Sequence, residues 1–309
     1  MIINNNFRLP LVSIVVIAYN SEDFIVETLE SIKSQTYTNI EIIVADDCSL
    51  DKTKAIADRW LFDNKNRFVA AKVVVNEKNL GVAANCNNGI KHARGDWVKI
   101  IAGDDLLECD AVSCYIEFFT NNPEAKVVLA NLTFFGDKSG IGYRNEEFGQ
   151  LSVNSQLIYL LTHRNPVFGP SGMAHRETIL KLGGYDERVP MLEDFPMSLR
   201  FLSNGVKIFI LDKQLVRYRV RSSGLSGNTN FSEKLWNMLD IVAVPEMRKR
   251  KLFLVYWHHK IELFIWMNRD SRLIKFRLTR YVIKCTDLVA LKIYLNSIFT
   301  MCLRNFEKI

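Results

Sequence analysis

The sequence predicts an α/β protein with a mostly parallel central sheet that is flanked by helices. Short runs of β-branched residues alternate with segments whose apolar residues recur at helical spacing, which is the pattern of strand–helix–strand units. The runs are apolar on both sides, as in strands that helices cover on both faces. Aspartate and asparagine residues follow the predicted strands, at the edge where ligands bind in open α/β sheets.

The first third of the chain shows this alternation most clearly. Apolar residues recur at helical spacing from Ile25 to Ile32, and Ser21 is the expected N-cap of that helix. Strands are predicted at 11–18, 40–45, 69–75 and 97–101. Two further helices are expected at about 51–61 and 82–93, with Asp51 as a capping residue of the first.

The second half of the chain is less regular. Strands are predicted at 126–135, 172–175, 208–211 and 216–220, and helices at about 176–182 and 191–204. The glycine-rich stretch 136–149 is predicted to be a loop, and its length suggests a functional role. From about Phe231 onwards the pattern predicts helices alone.

Several broad classes are disfavoured by what the sequence lacks. No G-x-G-x-x-G follows the first strand and no Walker A lysine loop occurs, which argues against Rossmann oxidoreductases and P-loop proteins. The polar start of the chain predicts no signal peptide, and no apolar run approaches the ~18 residues of a membrane span. The 6 cysteines show neither metal-ligand spacing nor a disulfide framework, which is typical of reduced cytosolic thiols.

Positive charge is concentrated towards the end of the chain. The formal net charge is +6, and residues 228–309 alone hold 15 Lys and Arg against 7 Asp and Glu. Basic residues such as Arg248–Lys251 lie near aromatic ones such as Tyr256 and Trp257, a combination that suits helices at a membrane interface. The alternative is that these aromatic rings pack on the rest of the protein while the cations face water.

Two adjacent aspartates, Asp104 and Asp105, follow the fourth predicted strand. Vicinal carboxylates at the carboxyl end of a strand suit a hard divalent cation that bridges a diphosphate. A solvated turn is the alternative interpretation of the same two residues.

An ordered set of motifs resembles the family 2 glycosyltransferases, which are inverting enzymes with the GT-A fold. The resemblance covers about residues 10–227. The matching segments are Ala18-Tyr19-Asn20, 44–53 (V-x-D-D-x-S-x-D-x-T), 79–81 and 87–89 (N-x-G in each), 102–105 in the place of D-x-D-D, 183–187 (G-G-Y-D-E), Glu193-Asp194, and 218–222, which is similar to Y-R-x-H-x-S.

The resemblance implies a domain organisation and an activity. Residues 1–227 would form the catalytic domain, with a nucleotide-binding half at 10–105 and an acceptor half at 106–227, and residues 228–309 a helical extension. The expected reaction moves a hexose (Glc, Gal or an N-acetyl derivative) from a UDP-sugar to an undecaprenyl-diphosphate-linked saccharide, forming a β-linkage in surface polysaccharide such as the O-antigen of lipopolysaccharide. The expected location is the inner face of the cytoplasmic membrane, and no nucleic-acid partner is expected. The alternatives are a soluble or protein acceptor, or a non-catalytic relative that binds glycans or sugar nucleotides.

The resemblance also implies roles for individual residues. Asp194 would be the catalytic base and Glu193 and Asp186 would contact the acceptor, while Asp104 and Asp105 would hold Mn²⁺ or Mg²⁺. Asp47 is the expected acceptor for the uracil N3–H. The residues expected to contact the nucleotide sugar are Ala18, Tyr19, Asn20, Asp47, Asn79, Gly81, Asn87, Gly103, Asp104, Arg219 and Arg221.

Structural roles remain open for some of these acids, and two positions depart from the family pattern. Asp47 and Asp194 could each cap a helix, and Asp186 could support its turn. Ala102 stands where the first acid of D-x-D-D is usual. Arg221 replaces the closing His, and because an arginine cannot ligate a metal it would grip the diphosphate instead.

Overall fold

The structure is a computed structural model of the 309-residue chain, and it describes residues 9–142, 146–162, 169–221, 240–252 and 256. The strands are β1 (Val12–Ala18), β2 (Ile40–Asp46), β3 (Ala70–Val75), β4 (Trp97–Ala102), β5 (Leu106–Leu107), β6 (Val127–Gly136), β7 (Gly140–Ile141), β8 (Gly172–His175) and β9 (Phe209–Val220). The helices are α1 (Ile25–Lys33), α2 (Thr53–Asn64), α3 (Val82–His92), α4 (Ala111–Asn121), α5 (Glu146–Gln150), α6 (Val153–Thr162), α7 (Arg176–Lys181), α8 (Asp194–Ser203) and α9 (240–249).

All of these strands belong to one sheet, in the spatial order β3-β2-β1-β4-β8-β6-β9-β5, with β7 paired to β6. The neighbours among β1 to β4 are parallel, as are β6 and β9, whereas β8 and β5 run antiparallel to their partners. The predicted α/β class with flanking helices is therefore confirmed. Because β1, β2 and β4 are parallel, their carboxyl ends meet at one edge of the sheet, and Ala18 pairs with Asp46 there.

Helices cover both faces of the sheet, which explains why the strands are apolar on both sides. On one face Val12, Ile14 and Val16 pack in a core with residues of α1, α2 and α4. On the other face Val15 joins a second core that includes residues of α3, α6, α8 and α9. Among the described residues, no helix combines the length and apolar character needed to cross a bilayer.

Four sequence predictions need correction. The stretch 136–149 is not a continuous loop, since β6 extends to Gly136 and β7 and α5 follow. The two predicted strands at 208–211 and 216–220 are one strand, β9, whose pairing with β6 shifts register midway. The predicted helix at 191–204 begins only at Asp194. Ser21 does not cap α1 with its side chain, because its hydroxyl donates to the Tyr19 carbonyl at 3.4 Å.

Helix α4 was not identified from the sequence. Its buried residues, Ala111, Val112, Tyr115, Ile116 and Phe119, nevertheless recur at helical spacing, so the periodic signal was present in the sequence.

Candidate active site

The loops that follow β1 and β2 are held together by side chains at the carboxyl edge of the sheet. The Asn20 N–H donates to the Ser49 hydroxyl at 2.9 Å, and Asn20 Oδ1 accepts from the Leu50 N–H at 2.9 Å. Asn20 has a φ of 49°, a conformation that asparagine tolerates better than most residues. The structure thus places Ala18, Tyr19 and Asn20 at the sheet edge, where a nucleotide contact was predicted.

Asp51 caps α2 as expected and also joins the two loops. Its Oδ1 accepts from the Thr53 N–H at 2.9 Å, and its Oδ2 accepts from the Glu22 N–H at 3.0 Å. The capping role of Asp51 is confirmed by the first of these bonds. The second bond fixes the loop after β1 against the start of α2.

Asp47 lies within a hydrogen-bond network of its own. Its Oδ1 accepts from the Asn76 amide at 2.7 Å and the Leu80 N–H at 2.9 Å, and its Oδ2 accepts from the Gly81 N–H at 2.8 Å. A carboxylate has about four acceptor positions, so roughly one remains for a ligand. Asp47 therefore shapes the loop that carries the exposed Asn79, and its contact with uracil remains a prediction.

Gly81 has a positive φ of 89°, and a Cβ there would come within 2.7 Å of Pro190. This loop therefore needs glycine both for its conformation and for its close approach to the segment before α8.

Asn87 is bonded to a distant turn of the protein. Its amide nitrogen donates to the Tyr185 carbonyl at 3.0 Å and to Glu187 at 2.7 Å, and its Oδ1 accepts from the Tyr185 N–H at 2.7 Å. These bonds fasten the 183–187 turn to α3. The contact of Asn87 with the nucleotide sugar stays a prediction.

Asp186 likewise serves the turn in which it lies. Its carboxylate accepts from the Arg188 guanidinium at 2.9 and 2.6 Å and lies 3.5 Å from that of Arg200. The Arg188 hydrogen bonds, together with the nearby positive charges, lower the pKa of this carboxyl even though burial opposes the shift. These contacts give Asp186 a structural role in its turn, and its contact with the acceptor stays a prediction.

Asp104 and Asp105 stand in very different surroundings after β4. The Asp104 side chain is 17% exposed, and its Oδ2 lies 2.7 Å from Arg221. Asp105 is 1% exposed, its Oδ1 accepts from the Arg219 N–H at 2.8 Å, and its Oδ2 is buried without a hydrogen-bond partner. Burial, together with the Asp104 charge, raises the pKa of Asp105 well above its usual range. The preceding Gly103 is buried and donates its N–H to Ile17.

Arg219 and Arg221, at the end of β9 and just after it, bring positive charge to these acids. Arg219 Nε donates to the Asp104 carbonyl at 2.8 Å, and another guanidinium nitrogen pairs with Glu27 at 2.7 Å. Both guanidinium groups lie over the Phe24 ring, each 4.8 Å from its centroid. Such cation–π contacts hold the planar groups in fixed orientations.

The two aspartates could hold a divalent cation if the phosphates of a substrate supplied further ligands. Within the described part of the chain, no cluster of three or more His, Cys, Asp or Glu residues could hold a metal by itself. Mg²⁺ and similar ions, however, are commonly held by one or two carboxylates together with substrate phosphates. Asp104 offers a partly exposed carboxylate at the sheet edge, and Asp105 has an oxygen with no other partner.

Glu193 and Asp194 lie at the start of α8 and line a cavity of about 100 Å³ that reaches Ala102 at the end of β4. The N-cap residue Glu193 makes no side-chain capping bond, and Asp194 Oδ1 accepts from the adjacent Phe195 N–H at 2.6 Å. Burial, together with the charge of Asp194, raises the pKa of Glu193 to about 8. Near neutral pH Glu193 therefore keeps its proton.

Lys99 is a buried residue of this site whose role sequence reasoning missed. Its Nζ donates to the carbonyls of Pro170 and Gly172, and the Tyr115 hydroxyl donates to Ser171 at 2.6 Å. Burial lowers the pKa of Lys99 to about 7. The available signal was a lone lysine within an apolar strand, which is rare without a buried partner.

The segment that Lys99 holds lies directly against the catalytic candidates. A Cβ on Gly169 would come 2.9 Å from Asp194 Cβ and 3.2 Å from Glu193 Oε1. Only a residue without a side chain fits at this approach, so the 169–172 backbone forms one wall around Asp194.

A family model described as glycosyl transferase family 2 matches residues 13–181, which is more than half of the chain. GgaB, a minor teichoic acid biosynthesis protein of Bacillus subtilis, is 28% identical over 261 residues, covering 79% of this chain and 28% of that protein. The putative glycosyltransferase EpsE of the same organism is 28% identical over 214 residues, covering 69% of this chain and 73% of that one. Chondroitin synthase of Escherichia coli is 27% identical over 202 residues, covering 64% of this chain and 27% of that protein. The chain thus spans well under half of GgaB and of chondroitin synthase.

Two solved structures share the fold at low sequence identity. S. aureus TarS (residues 1–349) has a TM-score of 0.64 and 21% identity, covering 85% of this chain and 75% of that one. The mannosyltransferase PcManGT of Pyrobaculum calidifontis, solved with GDP-Man and Mn²⁺, has a TM-score of 0.57 and 16% identity, covering 93% of this chain and 87% of that one. These likenesses confirm the expected GT-A architecture.

Proposed function

The chain belongs to glycosyl transferase family 2 and is a glycosyltransferase. We propose that it moves a hexose from a UDP-sugar to a lipid-linked saccharide and inverts the configuration at the anomeric carbon. One observation carries the proposal. The cavity lined by Glu193 and Asp194 reaches Ala102 at the end of β4. Two residues further on, the Asp104 carboxylate pairs with Arg221 and the Asp104 carbonyl accepts from Arg219, which supports a base on one side and cations for a leaving diphosphate on the other.

The residues around this cavity divide the chemistry between them. Asp194 takes the proton of the acceptor hydroxyl while the acceptor oxygen forms a bond to the anomeric carbon of the donor. The bond from that carbon to the diphosphate breaks, and the nucleoside diphosphate leaves. Glu193 stays protonated near neutral pH, so it cannot act as the base there. Arg219 and Arg221 bind the departing diphosphate through charge-assisted hydrogen bonds. A divalent cation, Mn²⁺ or Mg²⁺, held by Asp104 and Asp105 would act as a Lewis acid on the same group.

The donor and acceptor classes are supported by similarity. A TarS structure of the same fold is described as a complex with UDP-GlcNAc, which supports a UDP-linked hexose or N-acetylhexosamine as the donor. The names of GgaB and chondroitin synthase refer to teichoic acid biosynthesis and to synthesis of a glycan, which supports a role in surface-polysaccharide assembly such as that of O-antigen. An undecaprenyl-diphosphate-linked saccharide at the inner face of the cytoplasmic membrane is the acceptor we propose.

The activity itself has a direct test. The full chain is incubated with a panel of UDP-sugars and a synthetic diphosphate-lipid saccharide, and product is detected by mass spectrometry together with the anomeric configuration of the new bond. We expect one UDP-sugar to give a β-linked product. Release of UDP without product on lipid-linked, soluble or protein acceptors would mean that the protein only hydrolyses the donor. If no donor is turned over, a protein that binds sugar nucleotides or glycans without catalysis is favoured. An α-linked product would contradict the inverting mechanism.

The described part of the extension divides its basic residues into two groups. Val242, Ala243 and Met247 are buried in the core, and Arg250 pairs with Glu246 and donates to the Ser203 carbonyl. Helix α9 therefore packs on the core that contains residues of α6 and α8. The side chains of Arg248, Lys249 and Lys251 are exposed. Trp257 and the remaining cations predicted to meet the membrane lie outside the described residues.

We propose that the exposed cations of the extension attract an anionic membrane, at about 1 kcal/mol for each Lys or Arg near the surface. Flotation with anionic liposomes tests this docking, and the full chain should float at low salt and dissociate at high salt. Changing Arg248, Lys249 and Lys251 together to Gln should weaken flotation without loss of activity on a short-chain soluble acceptor. Arg250 is left in place because it holds α9 to α8. Equal flotation on neutral liposomes would contradict electrostatic docking.

A further inference from the structure

We propose that Arg221 forms an ion pair with the Asp104 carboxylate while the donor is absent and so blocks cation binding there. A divalent cation then binds at this site together with the diphosphate and not before it. The inference rests on the proposed function, because it takes the donor to be a nucleoside diphosphate sugar.

The ion pair between these residues is well placed to compete with a cation. Arg221 lies 2.7 Å from Asp104 Oδ2, and the two side chains are 33% and 17% exposed. A pair this sheltered is screened by water less than a surface pair is. The Phe24 ring, 4.8 Å from the Arg221 guanidinium, further limits the orientations that this group can adopt.

The other charged groups at this end of the sheet are either paired or buried. Arg219 pairs with Glu27 and donates to the Asp104 carbonyl, so the second arginine is already engaged. Asp105 is buried, with one oxygen accepting from the Arg219 N–H and the other without a hydrogen-bond partner. Among the described residues, the donor-free site therefore presents no accessible, unpaired carboxylate to an incoming cation at the end of β4.

A diphosphate changes this balance through Arg221. Guanidinium forms two parallel hydrogen bonds to a phosphate group, and a diphosphate brings at least two negative charges. When Arg221 turns towards the diphosphate, Asp104 loses its partner and becomes available to a cation. A histidine at this position could itself ligate the metal, but an arginine has no lone pair to do so.

Binding of Mn²⁺ to the full chain tests the inference without reference to turnover. Free Mn²⁺ is followed by electron paramagnetic resonance during titration of the wild type, Arg221→Gln and Arg217→Gln. Arg217 is the matched control, because it lies on β9 four positions before Arg221 and its guanidinium lies over the Phe135 ring at 4.8 Å. We expect Arg221→Gln to bind Mn²⁺ alone at least about tenfold more tightly than the wild type, since a charge-assisted pair no longer competes. Arg217→Gln should behave as the wild type does.

A second measurement uses only the wild type and so does not depend on the folding of a variant. Thermal unfolding is recorded with Mn²⁺ alone, UDP alone and both together, and a ligand that binds the folded state raises Tm. We expect Mn²⁺ alone to leave Tm unchanged and the combination to raise it above the value with UDP alone.

The possible results separate the two proposals. A rise in Tm with Mn²⁺ alone, or equal Mn²⁺ affinity of the wild type and Arg221→Gln, overturns the role of Arg221 even if UDP binds normally. If neither UDP nor UDP with Mn²⁺ raises Tm, the proposed donor is wrong, and the inference falls with it.

Discussion

Two regions of the sheet edge treat their carboxylates in opposite ways. The first, called here the framework region, comprises the loops after β1 and β2 with Asp46, Asp47 and Asp51. The second, called the acid region, comprises Asp104, Asp105, Glu193 and Asp194. In the framework region each aspartate accepts at least two hydrogen bonds from nearby loops.

The acid region is less well satisfied. Asp105 keeps a buried oxygen without a partner, and the pKa of Glu193 is raised to about 8 by burial and by Asp194. Perturbed and incompletely satisfied acids cluster where a protein performs chemistry, whereas saturated ones hold a shape. The framework region therefore holds the loops after β1 and β2 in place. The acid region keeps carboxylates that can bind a cation or transfer a proton.

The largest expected effect comes from removing the base in the acid region. We expect Asp194→Asn to lower kcat by at least ~10²-fold while UDP binding persists, because general-base catalysis typically contributes that much. Steady-state kinetics and calorimetry with UDP measure the two quantities. Glu177→Gln is the control, since this acid is exposed on α7 and pairs only with Lys181 among the ion pairs resolved. Near-native turnover of Asp194→Asn would refute the assignment.

The next effect concerns the carboxylate that faces the arginines. Asp104→Ala should remove the metal dependence of donor binding and lower kcat/KM by about tenfold to a hundredfold, as expected when part of a Lewis-acid site is lost. A chelator should likewise inactivate the wild type, and activity is measured before and after Mn²⁺ is restored. Asp63→Ala, on the exposed face of α2, is the matched control. Full activity in excess chelator would mean that Arg219 and Arg221 alone stabilise the diphosphate.

A smaller effect is expected within the framework region, where two variants can separate an effect on UDP binding from an effect on stability. Asp47→Ala should weaken UDP binding by ~1–3 kcal/mol, the range for leaving a hydrogen-bonding partner unpaired, and should also lower stability. Asp51→Ala should lower stability through the lost cap but change UDP affinity less. Calorimetry and thermal unfolding of both variants make the comparison. If UDP affinity is unchanged in Asp47→Ala, this residue only shapes the loop at 79–81.

The smallest effect on turnover is expected for Glu193→Gln, which mimics the protonated acid. Folding raises the pKa of Glu193 to about 8 from its ordinary value of 4.5, so the folded protein holds a proton that the unfolded chain releases. The contribution of this acid to stability is therefore complete below pH 4.5 and is lost as pH rises through 8. Thermal unfolding should show Glu193→Gln gaining stability relative to the wild type between those pH values. If the stability difference between Glu193→Gln and the wild type did not depend on pH, Glu193 would not be protonated in the folded protein.

The sequence by itself determined most of the fold and the position of the site. Apolar runs and helical spacing placed β1 to β4 and α1 to α3 correctly, because these signals depend on the local period of burial. The motifs located Asp47, Asp104 and Asp194 at the ends of strands or the start of a helix, and the capping role of Asp51 followed from its neighbours alone. Helix α4 was not predicted, although its buried residues also recur at helical spacing.

Only the tertiary structure decided which of these side chains are already engaged. Asn87 bonds to Tyr185, 98 positions away, and Arg219 donates to the Asp104 carbonyl 115 positions away. Local spacing contains no information about such contacts, because they arise when segments distant in the chain come together in the folded protein. For the same reason the burial of Lys99 against the 169–172 backbone, and the pairing of Arg221 with Asp104, could be found only in three dimensions.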